Sequence, residues 1–196
     1  MRHLALSSIL AITTLTAPAL AAPAQYELDP THTTVMFTID HVGYAATIGV
    51  FGEVAGTFTY DMDTQDLSNV QVAIAADSVN TFLEARDGHV RKRDFLDVSA
   101  HPQITFTAES GTPRNGTTGT VTGDLTILGQ TQPVTLDVTL NKAAVYPFGH
   151  KRMVLGLSLT GKINRSDFGM TYAVDNGLVG DEVAIRVETE AMQMAQ

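Results

Sequence analysis

The sequence predicts an all-β protein of about eight antiparallel strands. Three observations carry that prediction. From Tyr26 onward, apolar and polar residues alternate with a period of two, as half-buried strands require. The alternating runs are rich in Val, Ile, Thr and Phe, which suit a pleated surface. Gly-containing breaks separate several of the runs and read as hairpin turns.

In chain order, Val35, Phe37 and Ile39 oppose Thr34, Met36 and Thr38 in the first strand. Weaker runs over 50–60 and 70–76 follow. Ile104, Phe106 and Ala108 alternate with threonines, and Val121, Gly123, Leu125 and Ile127 with Thr122, Asp124 and Thr126. Val134, Leu136, Val138 and Leu140 form the next apolar face. Met153, Leu155, Leu157 and Leu159 form another, and Val183, Ile185 and Val187 the last. The breaks at 111–119 and at Leu128-Gly129-Gln130 read as turns. One segment departs from period two. Residues 81–95 have helical character, so one or two short helices are expected near 81–96, with Asp77-Ser78 or Asn80-Thr81 as caps and Gly88 as a weak point. Residues 165–180 read as a long loop, with Ser166 as a turn residue.

The first 21 residues read as an export signal. A short positive start, Met1-Arg2-His3, precedes an apolar stretch, and Ala19-Leu20-Ala21 offers small residues for cleavage after Ala21 or Ala22. Ser and Thr dilution and Pro18 disfavour a spanning helix there. Residues 22–196 are expected to form a single exported domain.

Composition narrows the function classes. The chain has 196 residues, 44% of them hydrophobic and 17% charged, so it can bury a core. It contains no Cys, which removes disulfides, thiolate metal sites, thiol nucleophiles and lipid attachment at a new N-terminal Cys. A formal net charge of -9 disfavours nucleic acid, whose phosphates need a basic surface. Alternation alone leaves open which way the apolar faces point. An outer-membrane barrel would carry aromatic girdles, yet the chain has no Trp and only 7% aromatics. The inward reading is therefore preferred, as a barrel or as a sandwich.

Motifs for chemistry are sparse. His32, His41, His89, His101 and His150 are scattered and form no H-x-H or H-E-x-x-H pattern. A metal site from His32, His41 and an acid is geometrically allowed, but the spacing does not demand it. No G-x-S-x-G elbow and no phosphate-binding Gly loop is present. The densest polar cluster is Arg86-Asp87-Gly88-His89-Val90-Arg91-Lys92-Arg93-Asp94. Helical spacing would place Arg86, His89 and Arg93 near one face, able to clamp an anionic headgroup. Equal numbers of acids over 84–97 fit a plain solvated helix as well.

Taken together, these segments resemble the YceI-like family. The resemblance starts at Tyr26-Glu27-Leu28-Asp29-Pro30-Thr31-His32 and passes through Gly52-Glu53-Val54-Ala55-Gly56-Thr57-Phe58. It is sharpest at Arg86-Asp87-Gly88-His89-Val90 and continues through His101-Pro102-Gln103-Ile104-Thr105-Phe106. It closes with Asn164-Arg165-Ser166-Asp167-Phe168-Gly169-Met170 and Gly180-Asp181-Glu182-Val183. Two mild departures are Tyr26, where many relatives carry Trp, and Leu128-Gly129-Gln130 in place of a His-Gly turn.

The resemblance implies an extended, lipocalin-like barrel of eight strands, whose apolar pore holds a polyisoprenoid or similar long-chain amphiphile. It also implies a periplasmic location, frequent homodimers and no established catalytic residues. On that reading the wall comprises Phe37, Ile39, Phe58, Phe106, Leu125, Ile127, Leu136, Leu155 and Leu157. Phe95, Phe168 and Met170 sit at or over the entrance, and Arg86, His89 and Arg93 are headgroup candidates. No cofactor or metal is expected beyond the bound lipid. Two other classes stay open: an enzyme using His32, His41 or His89, and a structural or stress-protective envelope protein with a filled core.

Overall fold

The computed structural model describes residues 22–195, so the export signal expected over residues 1–21 lies outside the described residues. The strands are β1 (Ala24–His41), β2 (Ala45–Phe51), β3 (Val54–Tyr60), β4 (Leu67–Ala75) and β5 (Val79–Asn80). After helix α1 (Glu84–Val90) come β6 (Gln103–Asn115), β7 (Thr118–Ile127), β8 (Gln130–Val145), β9 (Met153–Asn164) and β10 (Val179–Gln193). All belong to one antiparallel sheet, which β10 closes by pairing with β1.

The circuit has eight staves because β2 and β3 share one. Both pair with the same edge of β1: Phe37 faces Gly49 of β2, and Tyr26 faces Phe58 of β3. The stave breaks at Gly52-Glu53, between the two strands. β5 is only a two-residue flank to β2. The antiparallel strands expected from alternation are thus closed into the eight-stranded barrel that the resemblance implies, and not into a sandwich. In β1 the register slips between Leu28 and Thr33, where Asp29-Pro30-Thr31-His32 bulges out opposite β10. Pro30, which lacks an N–H, is accommodated at that bulge.

Two local expectations change. Residues 111–115 belong to β6 instead of a turn, because two bulges let the strand run on through Pro113. The predicted caps do not cap α1. Leu83 is its N-cap and makes no side-chain capping bond, while Asn80 Oδ1 accepts the Phe82 amide at 2.8 Å. The short helix expected near 81–96 is α1, which stops at Val90 because the chain turns back at once. The amides of Leu96, Asp97 and Val98 donate to the carbonyls of Val90, Lys92 and Arg91, and Leu96 becomes buried. Leu128 and Gly129 match the anticipated turn directly, both at positive φ (53° and 72°), as a two-residue hairpin requires, and Gly116-Thr117 keep the turn within 111–119.

The inward faces fall into two groups. Tyr26, Val79, Leu155, Phe168 and Ala191 are 1% exposed or less and form packed core. Leu136, Val138, Leu140, Leu157, Leu159, Ile163, Ile185 and Val187 also face inward but are only partly buried. Side chains that point inward yet keep accessible surface must face empty space.

Candidate ligand cavity

That space is a cavity of about 600 Å3 along the barrel axis. The filled-core expectation is therefore corrected: eight staves leave room that these side chains do not fill. The wall is apolar over most of its length because every second residue of each strand points inward. All twelve apolar residues singled out from the sequence line it: Phe37, Ile39, Phe58, Phe95, Phe106, Leu125, Ile127, Leu136, Leu155, Leu157, Phe168 and Met170. Sequence reasoning passed over Val35, Val54, Ile74 and Ile185, which line it too, although the same alternation marks them.

The two ends differ. At one end the cavity reaches the base of the β1–β2 hairpin (Asp40 and His41), helix α1 and the loop before β10 (Tyr172, Ala173 and Leu178). At the other it reaches Gln65 and the β6–β7 hairpin, where Thr112, Thr117, Thr118 and Thr120 supply hydroxyls and no charge. The first end carries the ionisable groups. Arg86 and His89 line the cavity there. Arg93 does not join them: it is exposed beyond the end of α1, because the helix ends three residues too soon to carry it on the same face.

A tight local network sets the first turn of α1. Thr81, 2% exposed, donates its amide and its hydroxyl to Asp87 Oδ1 at 2.6 and 2.5 Å. Arg86 in turn donates to the Thr81 hydroxyl (2.8 Å) and carbonyl (2.5 Å). Burial pushes the Asp87 carboxyl up, but the Thr81 bonds and the charges of Arg91 and Arg86 outweigh it and leave its pKa below the ordinary value. His89 pairs with Asp94 at 3.0 Å and packs edge-on against Phe95 and Tyr172, with centroids 5.1 and 5.3 Å away.

Arg165 was quoted in sequence only as a motif neighbour, yet it is the largest fully buried side chain described. Its guanidinium lines the cavity and donates to four backbone carbonyls: Gly180, Met170, Tyr172 and Val179, at 2.8 to 3.0 Å. It also lies 5.8 Å from the Phe95 ring centroid. Burial lowers its pKa, and Asp181 offsets part of that. No periodicity signals such a role, because its partners are carbonyls on a loop and β10. Ser166 donates amide and hydroxyl to the Asp181 carboxylate at 2.9 and 2.7 Å, consistent with a turn residue.

The histidines named for catalysis or metal binding are spread apart. His32 sits on the β1 bulge with Asp29 and Glu190, on the outer side of the closing seam, and its Nδ1 lies 2.9 Å from Asp29. His41 is not part of that group and lines the mouth of the cavity instead. His89 lies at the mouth as well. The geometry suits enclosure of an apolar chain, with charged side chains at one end and uncharged hydroxyls at the other.

Comparisons with known proteins agree with this architecture. The chain is 37% identical over 178 residues to Protein YceI of Salmonella arizonae, covering 91% of both chains. Among solved structures, BcnA of Burkholderia cenocepacia superposes with a TM-score of 0.74 at 24% identity, over 84% of this chain and 99% of that one. The YCEI protein of Campylobacter jejuni superposes with a TM-score of 0.72 at 27% identity, over 80% and 90%. A polyisoprenoid binding domain from Saccharophagus degradans shares the fold at 14% identity, with a TM-score of 0.60 over 88% of this chain and all of that one. The YceI-like domain model matches residues 26–191, and the chain belongs to the YceI-like family.

Proposed function

We propose that the protein binds a polyisoprenoid or similar long-chain amphiphile in its barrel and carries or sequesters it in the periplasm. The observation behind this is the inward apolar face left only partly buried around a cavity of about 600 Å3. Each methylene moved from water to such a wall contributes about 0.8 kcal/mol, so a long chain needs few polar contacts. The fold shared with a polyisoprenoid binding domain supports the ligand class. On this reading the twelve apolar lining residues form the wall, with Phe95, Phe168 and Met170 toward the mouth. Arg86 and His89 meet the polar headgroup where the mouth meets solvent. Arg93 is set aside as a headgroup contact. The protein acts as a carrier, without a catalytic step.

The test is uptake of a dispersed long-chain isoprenoid alcohol by the purified protein. Saturable uptake that a cavity-filling variant abolishes supports the reading. Uptake equal in both overturns it.

A further inference from the structure

Ten large apolar side chains are exposed among the described residues. Seven of them gather at the mouth of the cavity. Val42, Tyr44 and Ile48 belong to the β1–β2 hairpin, and Tyr44 is 88% exposed. Phe82 and Leu83, 71% and 53% exposed, precede α1. Tyr172 and Leu178 stand on the loop before β10. Register places these three segments at one end. β5 pairs antiparallel with β2, Val50 with Asn80, so the chain after Asn80 runs toward the β1–β2 hairpin. That hairpin is tied to the last loop by the Val42 amide donating to the Leu178 carbonyl.

From this arrangement we propose that the rim docks on the surface of an uncharged lipid bilayer, with the mouth facing the membrane. The proposal rests on the lipid-carrier reading above and adds where the ligand is exchanged. Two observations choose a bilayer over another protein. First, the exposed rim runs into the cavity wall through apolar side chains, since Tyr172 and Leu178 belong to both. A membrane-derived chain can cross that surface without meeting water, whereas a protein seated there would close the opening. Second, seven of the ten exposed large apolar side chains stand at this end, against Met62, Val145 and Phe148 at the other, where threonine hydroxyls line the cavity. Exposed Tyr and Phe at loop tips suit the headgroup boundary, where insertion scales with buried apolar area. The anchors themselves are uncharged, and the chain carries a net charge of -9, so anionic lipid should repel it.

The experiment is flotation of the purified protein with phosphatidylcholine vesicles, run beside isoprenoid alcohol uptake in the absence of vesicles. The variant combines Tyr44→Ser, Phe82→Ser and Leu83→Ser, three exposed residues outside the cavity wall. The expected result is vesicle binding that survives high salt and weakens when phosphatidylserine is added. The triple variant should lose it at least tenfold and keep full uptake. Vesicle binding equal in both proteins, or binding that needs anionic lipid and vanishes in salt, overturns the proposal. A variant that changes oligomeric state and leaves vesicle binding intact also overturns it, by making the rim an interface between copies. Uptake without vesicle binding refutes the docking surface alone. Vesicle binding without uptake refutes the carrier reading on which it rests.

Discussion

The far end of the Phe37 ring lies over Gly49 on the neighbouring strand. A Cβ placed on residue 49 would come within 2.2 Å of Phe37 Cζ. The two residues are direct cross-strand partners, and the ring fills the space that the missing side chain leaves. Gly49→Ala should therefore push the Phe37 ring into the cavity. The expected outcome is weaker ligand uptake at a cost of roughly 1–3 kcal/mol in stability, read by uptake assay and urea unfolding.

A bulky residue in the void distinguishes a cavity from a core. Leu157→Trp places a large ring where Leu157 is only partly buried and faces the open interior. Overpacking a filled core costs about 1–3 kcal/mol, so a cost under ~1 kcal/mol would mark the space as empty. The chain has no native Trp, so the emission of this one reports the interior alone. Blue-shifted emission with uptake abolished is the expected pair of results.

The Thr81–Asp87 bond should make the α1 strap sensitive to acid. Asp87 has a pKa below its ordinary value, because hydrogen bonds outweigh burial. Its contribution is present above the unfolded carboxylate pKa of about 4 and is lost as pH falls through the lower folded value. Asp87→Ala leaves the buried Thr81 hydroxyl and amide without their acceptor, at a cost of about 1–3 kcal/mol. Urea unfolding near neutral pH should show that loss. The difference from wild type should shrink below about pH 4.

Asp29 and His32 make a second pH-dependent pair on the β1 bulge. Burial raises the Asp29 carboxyl, but hydrogen bonds from Thr31 and His32 dominate and bring it to about 2. The bond to Asp29 raises the His32 pKa above 6.5. The pair therefore favours the folded state while His32 is protonated and Asp29 is not. That contribution fades as pH rises through the elevated His32 value, and again as pH falls toward about 2. NMR titration should find His32 above its ordinary value in wild type and returned toward it in Asp29→Asn.

Much of the barrel was legible because period two is a strong signal where one face is apolar. Val121, Leu125 and Ile127 place β7 without ambiguity, and all three are buried. The same alternation serves a sandwich, a packed barrel and a hollow one. The difference lies in how far apart opposing staves stand, which no local pattern encodes. The α1 region shows the limit differently. Spacing put Arg86, His89 and Arg93 on one face, but burial of Leu96 turns the chain after Val90 and leaves Arg93 in solvent. Arg165 was invisible for a third reason. Its four acceptors are backbone carbonyls, which any residue supplies, so no side-chain pattern marks them.

Arg165 is accordingly the residue whose removal should cost most. Arg165→Met would leave those carbonyls without donors in a region shielded from water. A loss on the order of 3 kcal/mol or more is expected, seen in urea unfolding, with proteolysis appearing first in the loop before β10.

The central claim is that the barrel interior holds a long-chain lipid. The most direct measurement is native mass spectrometry of the protein purified from its own cells, followed by organic extraction. The account predicts an added mass that releases as one apolar, long-chain molecule and is absent from Leu157→Trp. Repeated recovery of wild-type protein at its bare polypeptide mass, with nothing extracted, would contradict it.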